Sequence, residues 1–276
     1  MASGPVSFGN PQFGKQVQDA FPKFFEVIPR ATESFNDLAN NRHYEDVEPC
    51  SRAVLNLALL SGISMWELVT LVGNGFGLGA MKIARTMLEA AINAEYLRLT
   101  PNEFDDYLEW HWVEQHKLLT FVRENLPDSF VRLPVNDVER IEKGFGEAKT
   151  RFERADGELR RSWCKLDLGA RASKAGFALE FKLINPVSSQ LIHGTFGGLA
   201  QHFNVTKDLD RLAVPPSMTW CAQALIGAHV CLLKVIDTLS KTFALQPCYP
   251  VPTLFQEFEH AWGAGPDEAI AQAARD

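Results

Sequence analysis

Along most of this chain apolar side chains recur three and four residues apart, and nowhere does apolar–polar alternation persist long enough to specify a sheet. The pattern predicts helices near 19–40, 49–73, 78–99, 101–125, 137–157, 167–184, 187–200 and 217–243, with a shorter one near 253–262. The expected fold is therefore all-α, a single multi-helix bundle of about eight or nine helices. Thr100-Pro101-Asn102-Glu103 combines a capping box with proline at the first helical position, which marks a helix start. Ser64-x-x-Glu67 and Asn136-x-x-Glu139 repeat that logic more weakly. Pro186 is expected to end one helix and open another, and Pro215-Pro216-Ser217 to precede the apolar helix that runs to Phe243.

The segment 78–99 is the most informative of these. At 100° per residue, Ala84, Leu88, Ala91, Ile92 and Leu99 form one apolar face, and Ile83, Met87, Ala94 and Leu97 a second. Such a helix is covered on most sides. Lys82, Arg85, Thr86, Glu89, Asn93 and Tyr96 share the remaining stripe. Arg85-x-x-x-Glu89 is thus a pair on one helix face, and Ser189-x-x-x-His193 is a second pair with the same spacing on another apolar segment. Two readings of the first pair compete. On a solvated edge it contributes a few tenths of a kcal/mol. In the bundle interior each charge must find further partners.

Composition narrows the picture. The chain has 276 residues, 46% of them hydrophobic and 22% charged, enough for a sizeable core. No Gly/Ser/Pro-rich linker divides it, so the expected organisation is a flexible N-terminal segment 1–18, a single helical domain 19–262 and a C-terminal tail 263–276. The net charge of −7 argues against a surface devoted to phosphates. Basic residues nevertheless outnumber acidic ones from Lys149 to Lys174, so Lys149, Arg151, Arg154, Arg160 and Arg161 are the residues through which nucleic acid would bind. The five cysteines are odd in number and never spaced Cys-x-x-Cys, which fits a reduced, cytoplasmic protein. Ala53–Met81, apart from Glu67, and Leu212–Leu233 lack charged residues over lengths that could span a bilayer. Their Asn, Ser, Gly, Pro, Gln and His interruptions favour buried core helices and no membrane.

Other motifs are incomplete. Gly75-Phe76-Gly77-Leu78-Gly79-Ala80 satisfies Gly-x-Gly-x-x-Ala after an apolar run, but Glu95 falls inside a continuing helix and no second strand follows. A tight helix–helix corner is preferred, and no cofactor is expected. His111-x-x-Glu114 and Glu257-x-x-His260 place acid and imidazole one turn apart, yet a di-iron bundle needs two correctly ordered motifs and two further carboxylates. No metal is expected. Nucleophilic chemistry would require Ser189 or a cysteine beside a base, and helical serines usually bond their own i−4 carbonyl.

The run Leu68-x-x-Leu71, the corner Gly73 to Gly79, Ala84-Arg85-Thr86-Met87-Leu88-Glu89, Trp163 and Ser189-x-x-x-His193 together resemble a bacterial all-helical family of unknown function. In that family an Arg-[Ser/Thr]-hydrophobic-hydrophobic-Glu helix precedes a Trp-containing stretch and a Ser-x-x-x-His helix. The resemblance covers about Ala53 to Gly198; it implies a helical bundle and carries no assigned reaction. Phe181 stands where an aromatic residue is often seen before the Ser, and it has no hydroxyl to donate. The family is also reminiscent of HEPN helical bundles of toxin and antiphage systems, whose RNase activity depends on Arg-x(4–6)-His. None of the seven histidines here has an arginine at that distance.

The candidate site is accordingly a cluster of Arg85, Glu89, Ser189 and His193, with His193 bonded across helices to Glu89. The leading expectation is a helical binding or interaction protein, homo-oligomeric, with an unidentified protein or small-molecule partner. By fold analogy alone its setting is bacterial stress or antiphage defence. The alternative is a hydrolase or RNA-cleaving enzyme with His193 as acid or base, Glu89 orienting it and Arg85 holding an anionic group.

Overall fold

A computed structural model describes residues 11–40, 47–192, 218 and 220–273. Among these every regular element is helical, as the periodicity predicts, and the sole β feature is an isolated bridge between Glu153 and Leu159. The chain divides into two compact units, one from Met1–Leu99 with Leu168–Asp276 and the other from Thr100–Asp167.

The larger unit is organised by a helical hairpin, α3 (Pro49–Gly73) and α4 (Gly77–Leu99). Glu48 caps α3 by accepting the Ser51 amide (3.0 Å), which holds its carboxyl below the usual range, and Pro49 supplies the fixed φ of the first turn. At the other end Gly75 adopts φ +78, and the amides of Gly75 and Phe76 bond the carbonyls of Val72 and Leu71. This is a Schellman termination: a left-handed residue satisfies carbonyls the helix can no longer reach. The glycine run is therefore the tight helix–helix corner expected of it.

The hairpin packs against α9 (Cys221–Phe243), and α4 also meets α7 (Leu168–Lys174) and α8 (Ala178–Ile192). Around these lie α1 (Pro11–Ala20), α2 (Pro22–Asn40), α10 (Val251–Trp262) and α11 (Pro266–Ala273). The N-terminal segment 1–18 expected to be flexible is helical from Pro11, as part of Pro11–Ala20, with Phe13 and Val17 buried against the rest of the unit. Pro266–Ala273, in the expected tail, is helical as well and packs on α9.

On α4 the apolar faces are buried as expected, except that Ile83 is half-buried and Leu99 exposed; Tyr96, placed by its wheel position on the polar stripe, is fully buried. Pro49–Gly73 and Cys221–Phe243 are both long and apolar enough to cross a membrane. Half of the apolar window of the first and 78% of that of the second are buried inside the protein.

Pro186 does not divide two helices: it lies inside α8. The break falls earlier, at Gly176, whose φ of +76 allows the Phe177 amide to reach the Ala172 carbonyl (2.7 Å). A proline removes one helical hydrogen bond, whereas a left-handed residue reverses the chain. At the end of α9 the same left-handed position is filled by Ala244, φ +52, with the Leu245 amide on Ser240 O. Ala244→Gly should raise stability by about 1 kcal/mol and Gly176→Ala should lower it by about as much, since an L side chain in this conformation costs roughly that. Thermal unfolding of the two variants measures both signs.

The smaller unit is a second helical hairpin, α5 (Phe104–Asn125) and α6 (Val135–Phe152). The predicted capping box is not formed. Pro101–Glu103 is a 3₁₀ turn without a side-chain cap from Thr100, and Glu103 instead accepts the Cys164 thiol (3.3 Å). Helix α6 stops at Phe152, short of the predicted 157, because Asp156-Gly157 turns the chain back so that the Arg160 amide bonds Phe152 O (2.9 Å). Trp163 is buried in this unit, edge-on to Tyr107 at 5.2 Å.

Candidate functional site

The predicted cluster divides between described and undescribed residues. Arg85 and Glu89 pair with each other on α4, Nε to Oε1 2.7 Å, with side chains 23% and 39% exposed. The pair sits on a half-exposed edge where water competes for both charges, which limits it to a few tenths of a kcal/mol. Ser189 is half-buried on α8, and α8 packs against α4. His193 lies outside the described residues, so the proposed bond to Glu89 does too.

The polar groups that the fold does bury in the larger unit are different ones. Glu180 on α8 is 1% exposed, and Lys234 of α9 meets its Oε1 as an ion pair. Lys234 Nζ also donates to Gly176 O (2.7 Å), closing the break after α7, and lies 4.6 Å from the Phe177 ring centroid. One turn along α9, Thr238 Oγ1 donates to Glu95 Oε2 (3.0 Å), and Arg98 grips both oxygens of Glu95 at 2.7 Å. Buried Arg171 of α7 donates to Asn93 Oδ1. Four helices are thereby fixed in register by directional contacts, an arrangement apolar packing alone does not specify. Sequence reasoning passed over these residues, although a signal was present. Lys234 is the first charge after the uncharged run Cys221–Leu233, shares a face with Thr238 four residues on, and so demands a partner.

His229 of α9 is the second buried polar feature. It is 1% exposed among Phe24, Phe258 and Trp262, and its Nδ1 accepts the Trp262 indole N–H (3.1 Å). The acceptor role places the proton on Nε2. Burial drives its pKa down to about 3, so the ring is neutral and structural. Burial likewise pushes the Cys221 thiol up to about 11 and Cys231 higher still, with the Glu180 charge adding to the rise in Cys231. Neither thiol is poised as a nucleophile.

The acid–imidazole spacings have other occupations. Glu114 accepts the Trp110 indole (3.0 Å), His111 packs edge-on against Trp112, His116 stacks on Phe145 at 3.7 Å, and Glu257 is paired with Arg30 (2.6 Å). Among the described residues no three His, Cys, Asp or Glu side chains are grouped to hold a metal ion. Most of the basic residues are engaged by acids of the same unit. Arg151 contacts Asp106 and Glu109 (3.5 and 3.3 Å), Arg160 contacts Asp106 (3.4 Å) and lies over Phe152, and Arg154 pairs with Asp156; Lys149 and Arg161 remain on the surface. A groove of about 490 Å³ in this unit is lined by Glu109, Trp112, Glu147, Thr150 and Arg151. The cation among these lining residues, Arg151, is already paired with Glu109.

What the fold defines is a helical class: long apolar hairpins locked by a few interhelical polar pairs. The chain belongs to a family of unknown function, DUF5677, whose sequence model matches residues 64–211. The resemblance carried by Arg85…Glu89, Trp163 and Ser189 is thus borne out, while the match lends nothing to the likeness to HEPN bundles. No curated protein matches the chain, and no solved structure does.

Proposed function

We propose that this chain acts by binding, as a helical interaction protein, and does not turn over a substrate at the α4 stripe. One observation carries the reading: among the described residues of the larger unit, buried Glu180 is closed on Lys234 and half-buried Glu95 on Arg98 and Thr238. Catalytic groups need a reactive edge that a substrate can reach. Arg85 and Glu89, the charged pair of the candidate cluster, are spent on each other.

Incubating the purified chain with RNA, nucleotides and simple esters, beside Glu89→Gln, Ser189→Ala and His193→Ala variants, separates binding from catalysis. The expected result is no turnover that depends on those residues, together with unchanged recovery of crosslinked complexes from cells for all three variants. A product formed by the wild-type chain and lost in Glu89→Gln and His193→Ala would overturn the reading.

A further inference from the structure

Six large apolar side chains stand exposed at one end of the α5–α6 hairpin. Leu118 and Phe121 lie in the last turns of α5, Leu126, Val131 and Leu133 in the connection, and Val135 at the first position of α6. Their exposure runs from 37% at Leu133 to 83% at Val131. The connection is firmly built. Pro127–Phe130 forms a helical turn, and the amides of Val131, Arg132 and Leu133 bond Pro127 O, Ser129 O and Phe130 O at 3.0–3.1 Å. Arg123 braces it from α5, 4.8 Å from the Phe130 ring centroid and paired with Glu142 of α6. The backbone therefore holds these side chains outward in fixed positions. Single exposed apolar residues are ordinary, but six concentrated in one hairpin end mark an interaction surface. Together they expose on the order of 600 Å², close to the roughly 800 Å² that each partner contributes to an interface of standard size.

Charge selects the occupant. Arg132, Asp128 and Glu124 have no ion partner among the described residues, while the neighbouring Arg123 and Arg140 are paired within the hairpin. One free cation beside two free anions makes no basic field for anionic lipid or nucleic acid. It does make a patch complementary to itself. In a two-fold contact through the apolar tip, Arg132 of one copy would answer Asp128 of the other, and the symmetry would repeat the pair.

We propose that the α5–α6 tip is an isologous interface at which two copies of this chain associate. The proposal rests on the binding reading above and names one partner for it. Sedimentation velocity on the full chain across the micromolar range tests it. The wild type should be a dimer. Leu126→Asp with Val131→Asp should leave a monomer of unchanged helical content, since both side chains lie on the surface of the free unit. Arg132→Glu should weaken the dimer about tenfold in Kd, the scale of losing a close interfacial charge pair. Adding Asp128→Arg to Arg132→Glu should restore it. A monomeric wild type would overturn the proposal, and so would a monomer whose flotation with neutral lipid vesicles is lost in Val131→Asp, which assigns the tip to lipid. A dimer untouched by all three variants would also overturn it while leaving the binding reading standing; turnover dependent on Glu89 would remove that reading whatever the oligomeric state.

Discussion

Lys234→Met should destabilise the larger unit by about 3 kcal/mol, more than any surface change in the chain. Lys234 is the ion partner of the Glu180 carboxylate, which is 1% exposed, and the Gly176 carbonyl depends on the same ammonium. Removing it leaves a buried charge and an acceptor unanswered at once, and breaking such a pair typically costs about 3–5 kcal/mol. The instructive companion is Glu180→Met with Lys234→Met. Two apolar side chains of similar volume relieve the desolvation of both ions, so the double variant should recover most of the loss or exceed the wild type. Urea unfolding of the two single variants and the double variant completes the cycle. A single-variant loss below about 1 kcal/mol would mean that the contact behaves as an exposed pair.

Acidification should weaken the fold through His229. Its folded pKa of about 3 lies below the ordinary 6.5, so between these values the unfolded chain takes up a proton that the folded chain refuses. Stability contributed by the neutral ring is complete above pH 6.5 and is lost progressively as pH falls towards 3, at up to about 1.4 kcal/mol per pH unit. Carboxylates add their own losses below about pH 5, so the comparison that isolates the ring is with His229→Asn. Asparagine retains an acceptor near the Nδ1 position for the Trp262 indole but does not titrate. The variant should start less stable and show a shallower decline between pH 6.5 and 5. Equal slopes in the two proteins would show that the imidazole is not sealed from water.

The course of the helices was legible because burial of one helical face leaves a period of 3.6 that needs no knowledge of neighbours. The boundaries of α3 and α4 followed directly, since Pro49 and the corner after Gly73 act locally. The misplaced boundary at Pro186 shows the limit. A proline can be carried inside a helix that tertiary contacts support, and the chain broke at Gly176, where a left-handed residue could satisfy the freed carbonyls. Tyr96 failed the wheel reading for a related reason. Its stripe is polar at Lys82 and closes over towards the C-terminus, where Lys174 reaches across its ring at 5.1 Å. The candidate site was legible only as pairs at i,i+4: the spacing ensured that Arg85 and Glu89 could touch, and they do. It gave no information on whether either would be sealed, because burial depends on which helices come to lie above.

By itself the sequence determined an all-helical chain, the two long apolar helices, the tight corner at Gly75 and membership of a helical family, all properties set within a few turns of chain or by local composition. Tertiary structure alone decided which polar groups are buried. Glu180 finds Lys234 and Glu95 finds Thr238 across 54 and 143 positions, and His229 is met by Trp262. Helical periodicity fixes the face on which a side chain stands; the partner that makes its burial tolerable comes from a distant segment, through packing that no local pattern encodes.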